Sequence, residues 1–255
     1  MEPRDDQART ALVTGAAGGI GSAVVRGFLS EGLSVVATDL DRAGLSRSLR
    51  EFEGDDRLQL VAADLSDPRA PAEVVRSARD RFGRLDVVAS VAGVTQIGRT
   101  HTLTAAEWDR VHAINARAPF LLSQAAMPDL ERNRGCIVAV SSIAGMQGWA
   151  YSSAYAASKA GLIGLMRSLA REHGAAGVRV NVVAPGGVMT TMSDVVRSGW
   201  DSTEDLDPAV RKPSTGLEGR RAEPSEVADA VIYLSSSKAA FINGAVVPID
   251  GGAFA

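Results

Sequence analysis

The stretch TALVTGAAGGIG, Thr10 to Gly21, decides the fold. Its first five residues are apolar or β-branched without alternation, as in a strand covered on both faces. Glycines at 15, 19 and 21 then allow a tight turn, and a helical pattern runs from Gly19 to Glu31. A strand, a glycine-rich turn and a helix in that order offer free backbone N–H groups at a positive helix end, where a pyrophosphate can sit. The next strand, LSVVATD, closes on Asp39, near the ~20-residue interval at which an acid receives the ribose hydroxyls of a dinucleotide. A carboxylate there favours NAD, because it repels the 2′-phosphate of NADP. Arg42 is a nearby cation able to pair with such a phosphate, whereas position 17 is alanine and offers no second one.

Outward from this stretch the same rhythm repeats. LQLVAAD, LDVVASVAG, CIVAVSS, VRVNVVAP and AVVPID are further strands, and Ala70 to Phe82, Thr104 to Arg132 and Ser153 to His173 are helical stretches between them. Regular β–α alternation predicts an α/β fold: one doubly wound Rossmann-type domain, residues 1–255, with seven parallel strands flanked by helices. Ser193 to Pro224 breaks the pattern, being charged, with Pro and Gly and no clear strand. It follows the sixth strand, at the sheet edge where ligands bind, and is expected to cover a substrate.

Composition excludes several classes. A net charge of −3 gives no basic footprint for nucleic acid. The single cysteine, Cys136, lies in an apolar run and allows no internal disulfide. No apolar segment suits a signal peptide or a membrane span, so a cytoplasmic location is expected. His101, His112 and His173 are scattered without ligand spacing, and no metal site is expected.

The stretch YSSAYAASK, Tyr151 to Lys159, holds two phenols and an ammonium group. On a helix, Tyr155 and Lys159 share a face, and Tyr151 lies ~12 Å from the lysine along the axis. By itself the pair also fits a surface helix with an incidental tyrosine and lysine.

Taken together, these segments resemble the short-chain dehydrogenase/reductase family over nearly the whole chain. The resemblance rests on the TGxxxGIG loop at 14–21, Asp64-Leu65, Asn115, Ser142, the YxxxK pair Tyr155 and Lys159, Pro185-Gly186 with Thr190, and Asp250-Gly251-Gly252. It implies an NAD-dependent oxidoreductase interconverting a secondary alcohol and a ketone. The family's serine precedes its tyrosine by 13 residues, which selects Ser142 over Ser141 and Tyr155 over Tyr151. By resemblance Tyr155 is the acid–base group, Ser142 holds the substrate oxygen, Lys159 holds the nicotinamide ribose, and Asn115 organises a water in a proton relay. A cation beside Tyr155 is expected to lower its pKa below that of a free phenol.

The resemblance further implies cofactor contacts from Gly15, Gly18, Gly19, Ile20 and Gly21 in the loop. Asp64 and Leu65 would lie by the adenine, Ala92 and Gly93 by the adenosine ribose, and Pro185, Gly186, Val188 and Thr190 by the nicotinamide. Where the family has Asn-Asn-Ala-Gly, this chain has Ser90-Val91-Ala92-Gly93, so the bracing of that turn is expected to weaken. A homotetramer is implied too, with Ala156, Ala160 and Gly164 small enough for close helix packing. Met146, Gln147, Trp149, Met189, Met192 and Trp200 are candidate pocket residues from position. The nearest rival is an NADPH-using 3-oxoacyl carrier-protein reductase; a non-catalytic NAD-binding regulator is a rival of another class.

Overall fold

All seven expected runs become strands, and every pairing between them is parallel. In the computed structural model, which describes residues 8–202, 206–210 and 215–253, the strands are β1 (Thr10–Thr14), β2 (Ser34–Asp39), β3 (Leu58–Ala62), β4 (Val87–Ser90), β5 (Cys136–Val140), β6 (Arg179–Pro185) and β7 (Val246–Ile249). They form one sheet in the order β3-β2-β1-β4-β5-β6-β7. β1, β2, β4 and β5 are buried almost throughout, which is why their sequences are continuously apolar. The edge strands β3 and β7 are only half-buried.

Two apolar layers cover the faces. On one, α1 (Gly19–Ser30) packs against α9 (Pro224–Ser235), with Val24, Val25 and Phe28 meeting Val227, Val231 and Leu234. On the other lie α3 (Ala70–Phe82), α5 (Ala118–Asn133) and α7 (Ser153–His173). In α7 the buried Ala154, Ser158, Leu162, Met166 and Ala170 recur every fourth residue, the spacing that puts one stripe on the sheet. Short helices α2 (Arg42–Ser48) and α6 (Ala144–Gln147) follow β2 and β5.

The stretch Thr104–Arg132 is not one regular helix. α4 (Ala105–His112) starts from a capping box between Thr104 and Glu107, and a π-turn over Ala113–Arg117 joins it to α5. The expected irregular covering segment also differs from expectation. Its first part is helix α8 (Thr191–Ser202), and Ala222 bridges in parallel to Val188. Residues 203–205 and 211–214 of that segment, and residues 1–7 of the N-terminus, lie outside the described residues.

The chain lays down β1 to β3 outward from the centre, then crosses back to start β4 beside β1. The turns after β1, β4, β5 and β6 therefore converge at one edge, on both sides of the reversal, where open α/β sheets bind ligands.

Candidate active site

On the β1–β2 side the walls are backbone. Gly15 has φ +67°, and a Cβ there would lie 2.8 Å from Ala92 Cα; at Gly21 a Cβ would lie 2.1 Å from the Gly15 carbonyl oxygen. Only glycine fits at 21, and the chain turns tightly enough to start α1 with no side chain capping its N-terminus. Asp39 sits at the end of β2 with Oδ2 accepting from Ala17 N–H at 3.0 Å, so its carboxylate borders the same loop. Arg42 turns away and donates to the Leu60 carbonyl on β3. Asp64 stands exposed after β3, accepting from Ser66 N–H at 2.9 Å. An uncapped helix end, a cradle that a side chain would fill and an acid beside it fit a dinucleotide.

The turn after β4 is braced, though not by Ser90. The Thr14 hydroxyl accepts from Val91 N–H at 3.0 Å and Ala92 N–H at 3.1 Å, and Asn115 clamps Val94 through both its N–H and its carbonyl at 2.9 Å each. The weaker bracing expected from the missing asparagines is thus supplied from β1 and the π-turn. The bracing role of Thr14 is not visible in its local sequence, which does not show that β1 and β4 are neighbours.

On the other side stand the residues expected to do chemistry. Ser142, after β5, accepts from Ala144 N–H through its hydroxyl at 3.2 Å, and its hydroxyl lies near enough to the Tyr155 phenol to favour the phenolate. Ser141 points away, its hydroxyl donating to the Lys159 carbonyl at 2.9 Å, as neighbours on a strand end should. Lys159 is buried; its Nζ donates to the Val140 carbonyl at 2.9 Å and lies 5.9 Å from the Tyr155 ring centroid. Asn115, fully buried, spends its remaining N–H on Ser158 Oγ at 3.0 Å. Its two N–H groups and its carbonyl oxygen thus hold Val94 and Ser158 at the π-turn, where the ordinary helix ladder is interrupted.

Electrostatics correct one expectation. Burial pushes the Tyr155 phenol above its ordinary value, and the Ser142 hydroxyl offsets this only in part. Burial also lowers Lys159 to about 8. Burial penalises both charged forms, so in the cofactor-free protein the Tyr155 phenol is pushed away from the phenolate and not toward it.

Between these residues and α8 lies a cleft. Ser142 and Tyr155 form its floor, Gly186 one side, and Trp149, Met192 and Trp200 its apolar wall. Met146 and Met189, expected in the wall, are 46% and 55% exposed and with Gln147 lie outside it. Tyr151 is not on α7, which starts at Ser153. With φ +60° it sits at the rim, its ring edge-on to Trp200 at 5.3 Å and its hydroxyl accepting from Asp207 N–H at 3.1 Å. Val188 is buried beside the bridge to Ala222, and Thr190 Cγ2 would lie 3.1 Å from a Cβ at Gly19, which brings the segment after β6 to the glycine loop. The structure thus gathers the loop glycines, Asp39, Ala92, Gly93, the four proposed catalytic residues, Pro185, Gly186 and Thr190 along one edge.

Known proteins are similar to this chain over nearly its whole length. A family model described as enoyl-(acyl carrier protein) reductase matches residues 15–253. The 3-oxoacyl-[acyl-carrier-protein] reductase FabG of Thermotoga maritima is 34% identical, the match covering 96% of this chain and 98% of that protein. The cis-4-hydroxycyclohexanecarboxylate dehydrogenase of Sinomonas cyclohexanicum is 38% identical over 96% of each. The crystal structure of a 3-ketoacyl-(acyl-carrier-protein) reductase from Brucella melitensis complexed with NADH superposes with a TM-score of 0.85 at 27% identity, covering 97% of this chain and 98% of that one.

Proposed function

Because the chain belongs to the short-chain dehydrogenase/reductase family, an oxidoreductase family acting on CH–OH groups, we propose that it interconverts a secondary alcohol and a ketone with NAD as cofactor. The observation that carries this is the meeting of Ser142 and Tyr155 in one cleft, with Lys159 buried behind them 5.9 Å from the Tyr155 ring and a glycine loop bordered by Asp39 at the same sheet edge.

When bound, the nicotinamide exchanges hydride with the carbinol carbon. The chain's own residues manage the oxygen and its proton. Ser142 Oγ, held by Ala144 N–H, is oriented to hydrogen-bond the substrate oxygen. Tyr155 Oη then takes the hydroxyl proton in oxidation or donates it in reduction. A phenol kept neutral by burial is ready to donate at neutral pH, which suits reduction there and makes oxidation rise as the pH increases. Lys159, anchored on the Val140 carbonyl, supports the phenol and would hold the ribose of the cofactor. Asn115 positions Gly93 and Val94 for the adenosine side.

NAD over NADP is supported by Asp39 at the loop and by Arg42 being turned to Leu60. A carrier-protein reductase is the second reading, supported by the name of the Thermotoga relative. Cofactor choice alone does not separate the two, since the Brucella reductase is complexed with NADH. Residues 193–224 are proposed as the substrate cover of a single domain, because α8 supplies Met192, Val196 and Trp200 to the cleft. A homotetramer is proposed from the outward, exposed positions of Ala160 and Gly164 on α7, and a cytoplasmic location from the single, buried Cys136. Among the described residues, no helix is long and apolar enough to cross a membrane.

Steady-state turnover of a panel of cyclic and acyclic secondary alcohols with NAD and NADP tests the reading. NAD should be preferred, and Asp39→Ala should erode that preference about tenfold or more by relieving repulsion of the 2′-phosphate. A wild-type enzyme faster with NADP overturns the cofactor assignment.

A further inference from the structure

The cleft above Ser142 and Tyr155 is lined by two arginines, Arg197 and Arg221, and among the described residues by no Asp or Glu. Arg197 has a partner, its Nη2 lying 3.0 Å from the exposed Asp194 carboxylate. Arg221 is half-buried and, among the described residues, has no carboxylate within ion-pair distance. The acids beyond it are committed elsewhere. Arg220 takes Glu218 at 3.0 Å and Glu226 at 2.7 Å, and Asp250 accepts from Gly252 N–H at 3.0 Å.

The root of Arg221 is fixed. Its neighbour Ala222 donates to the Gly187 carbonyl and accepts from Met189 N–H, both at 2.9 Å, which ties it to the segment after β6 that lines the same cleft. A guanidinium removed from part of its water, with five donors and no counterion, is costly unless something supplies the anion. The same cleft is lined by the apolar side chains of Trp149, Met192 and Trp200.

We propose that Arg221 anchors a carboxylate on the substrate, so that the enzyme acts on secondary alcohols or ketones whose apolar body carries a carboxylate. The inference deepens the proposed function and rests on its reading of this cleft. Arg221 sets which molecule is held, while the proton transfer stays with Tyr155.

The test uses the whole enzyme saturated with NAD and follows the fluorescence of its tryptophans, two of which, Trp149 and Trp200, line the cleft. The probes are cyclohexanecarboxylate and cyclohexanecarboxamide, equal in shape and different in charge. The acid should bind about tenfold or more tightly than the amide. Arg221→Met should weaken acid binding about 10- to 100-fold, the worth of a charge-assisted hydrogen bond, with a much smaller effect on the amide, and Arg221→Lys should keep part of the preference. Equal binding of acid and amide, failure of the acid to bind in the millimolar range, or an Arg221→Met variant that keeps the preference overturns the proposal. So does a variant that loses NAD affinity instead, because the anion held is then the cofactor's phosphate. If acid binding behaves as expected and no secondary alcohol is oxidised, the fault lies in the proposed function and not in Arg221.

Discussion

Around Gly15 and Gly21 the walls of the site are main chain, whereas around Trp149, Trp200 and Arg221 they are side chains brought from three separate segments. The first region has its geometry fixed by what cannot be there, since a single Cβ at Gly21 would overlap the Gly15 carbonyl. The second depends on what happens to be there, and a change of side chain alters its shape and charge without disturbing the sheet. Under the proposed function, the backbone-built half would hold the cofactor, which is common to every substrate the enzyme turns over. The side-chain-built half would recognise what differs between substrates. Tyr155 stands where the two meet, so its replacement separates them most sharply.

Tyr155→Phe should lower kcat by ~10²–10⁴, the usual contribution of a general acid–base group, while the Kd for NAD changes little. In the wild type, oxidation should climb with pH as the raised phenol ionises, and reduction should fall. If Tyr155→Phe leaves kcat intact and Tyr151→Phe abolishes it, the division of the cleft is drawn in the wrong place.

Lys159 touches both halves, and its stability signature is distinct from its catalytic one. Its folded pKa, about 8, lies below the ordinary 10.5, so the folded protein binds the proton less well than the unfolded chain does. The penalty is full below pH 8 and is relieved as the pH rises toward 10.5. Lys159→Met should therefore stabilise the cofactor-free protein at pH 7 by on the order of 1 kcal/mol, about 3 from the charging cost less about 2 for leaving the buried Val140 carbonyl without its charged donor. The gain in Tm over wild type should shrink between pH 8 and 10.5 while turnover is lost at every pH. A variant less stable than wild type at pH 7 would mean that the lysine is held without strain.

The smallest effect belongs to the rim. Tyr151→Phe removes one exposed hydrogen bond, from Asp207 N–H, and keeps the ring against Trp200. KM should rise at most a fewfold, since such a bond is worth ~1 kcal/mol, with kcat held. A drop in kcat would tie the covering segment to the chemical step.

The same contrast explains how far the sequence could be read. A glycine loop between a strand and a helix is a local pattern, as is a tyrosine four residues before a lysine, and both lie where that pattern puts them. Thr14 was not legible as a brace because its partners, Val91 and Ala92, are 77 and 78 residues away and meet it only through the sheet order. α8 was hidden because Ser193, Asp194, Arg197 and Gly199 dilute its apolar positions. Tyr151 was extrapolated onto a helix that begins two residues later. The lowered phenol failed for a different reason. Spacing shows that a cation is near, but not that the wall around it is dry.

The packing of α1 on α9 joins the beginning of the chain to its end. During synthesis the apolar face of the helix that follows the glycine loop stays uncovered until residue 235 or so has left the ribosome. The most recognisable part of the molecule is thus among the last to be sealed, and shortening the chain before Pro224 would leave Phe28 and its neighbours open to water some 200 residues upstream of the cut. The nucleotide loop is local in sequence, but its durability is a property of the finished chain.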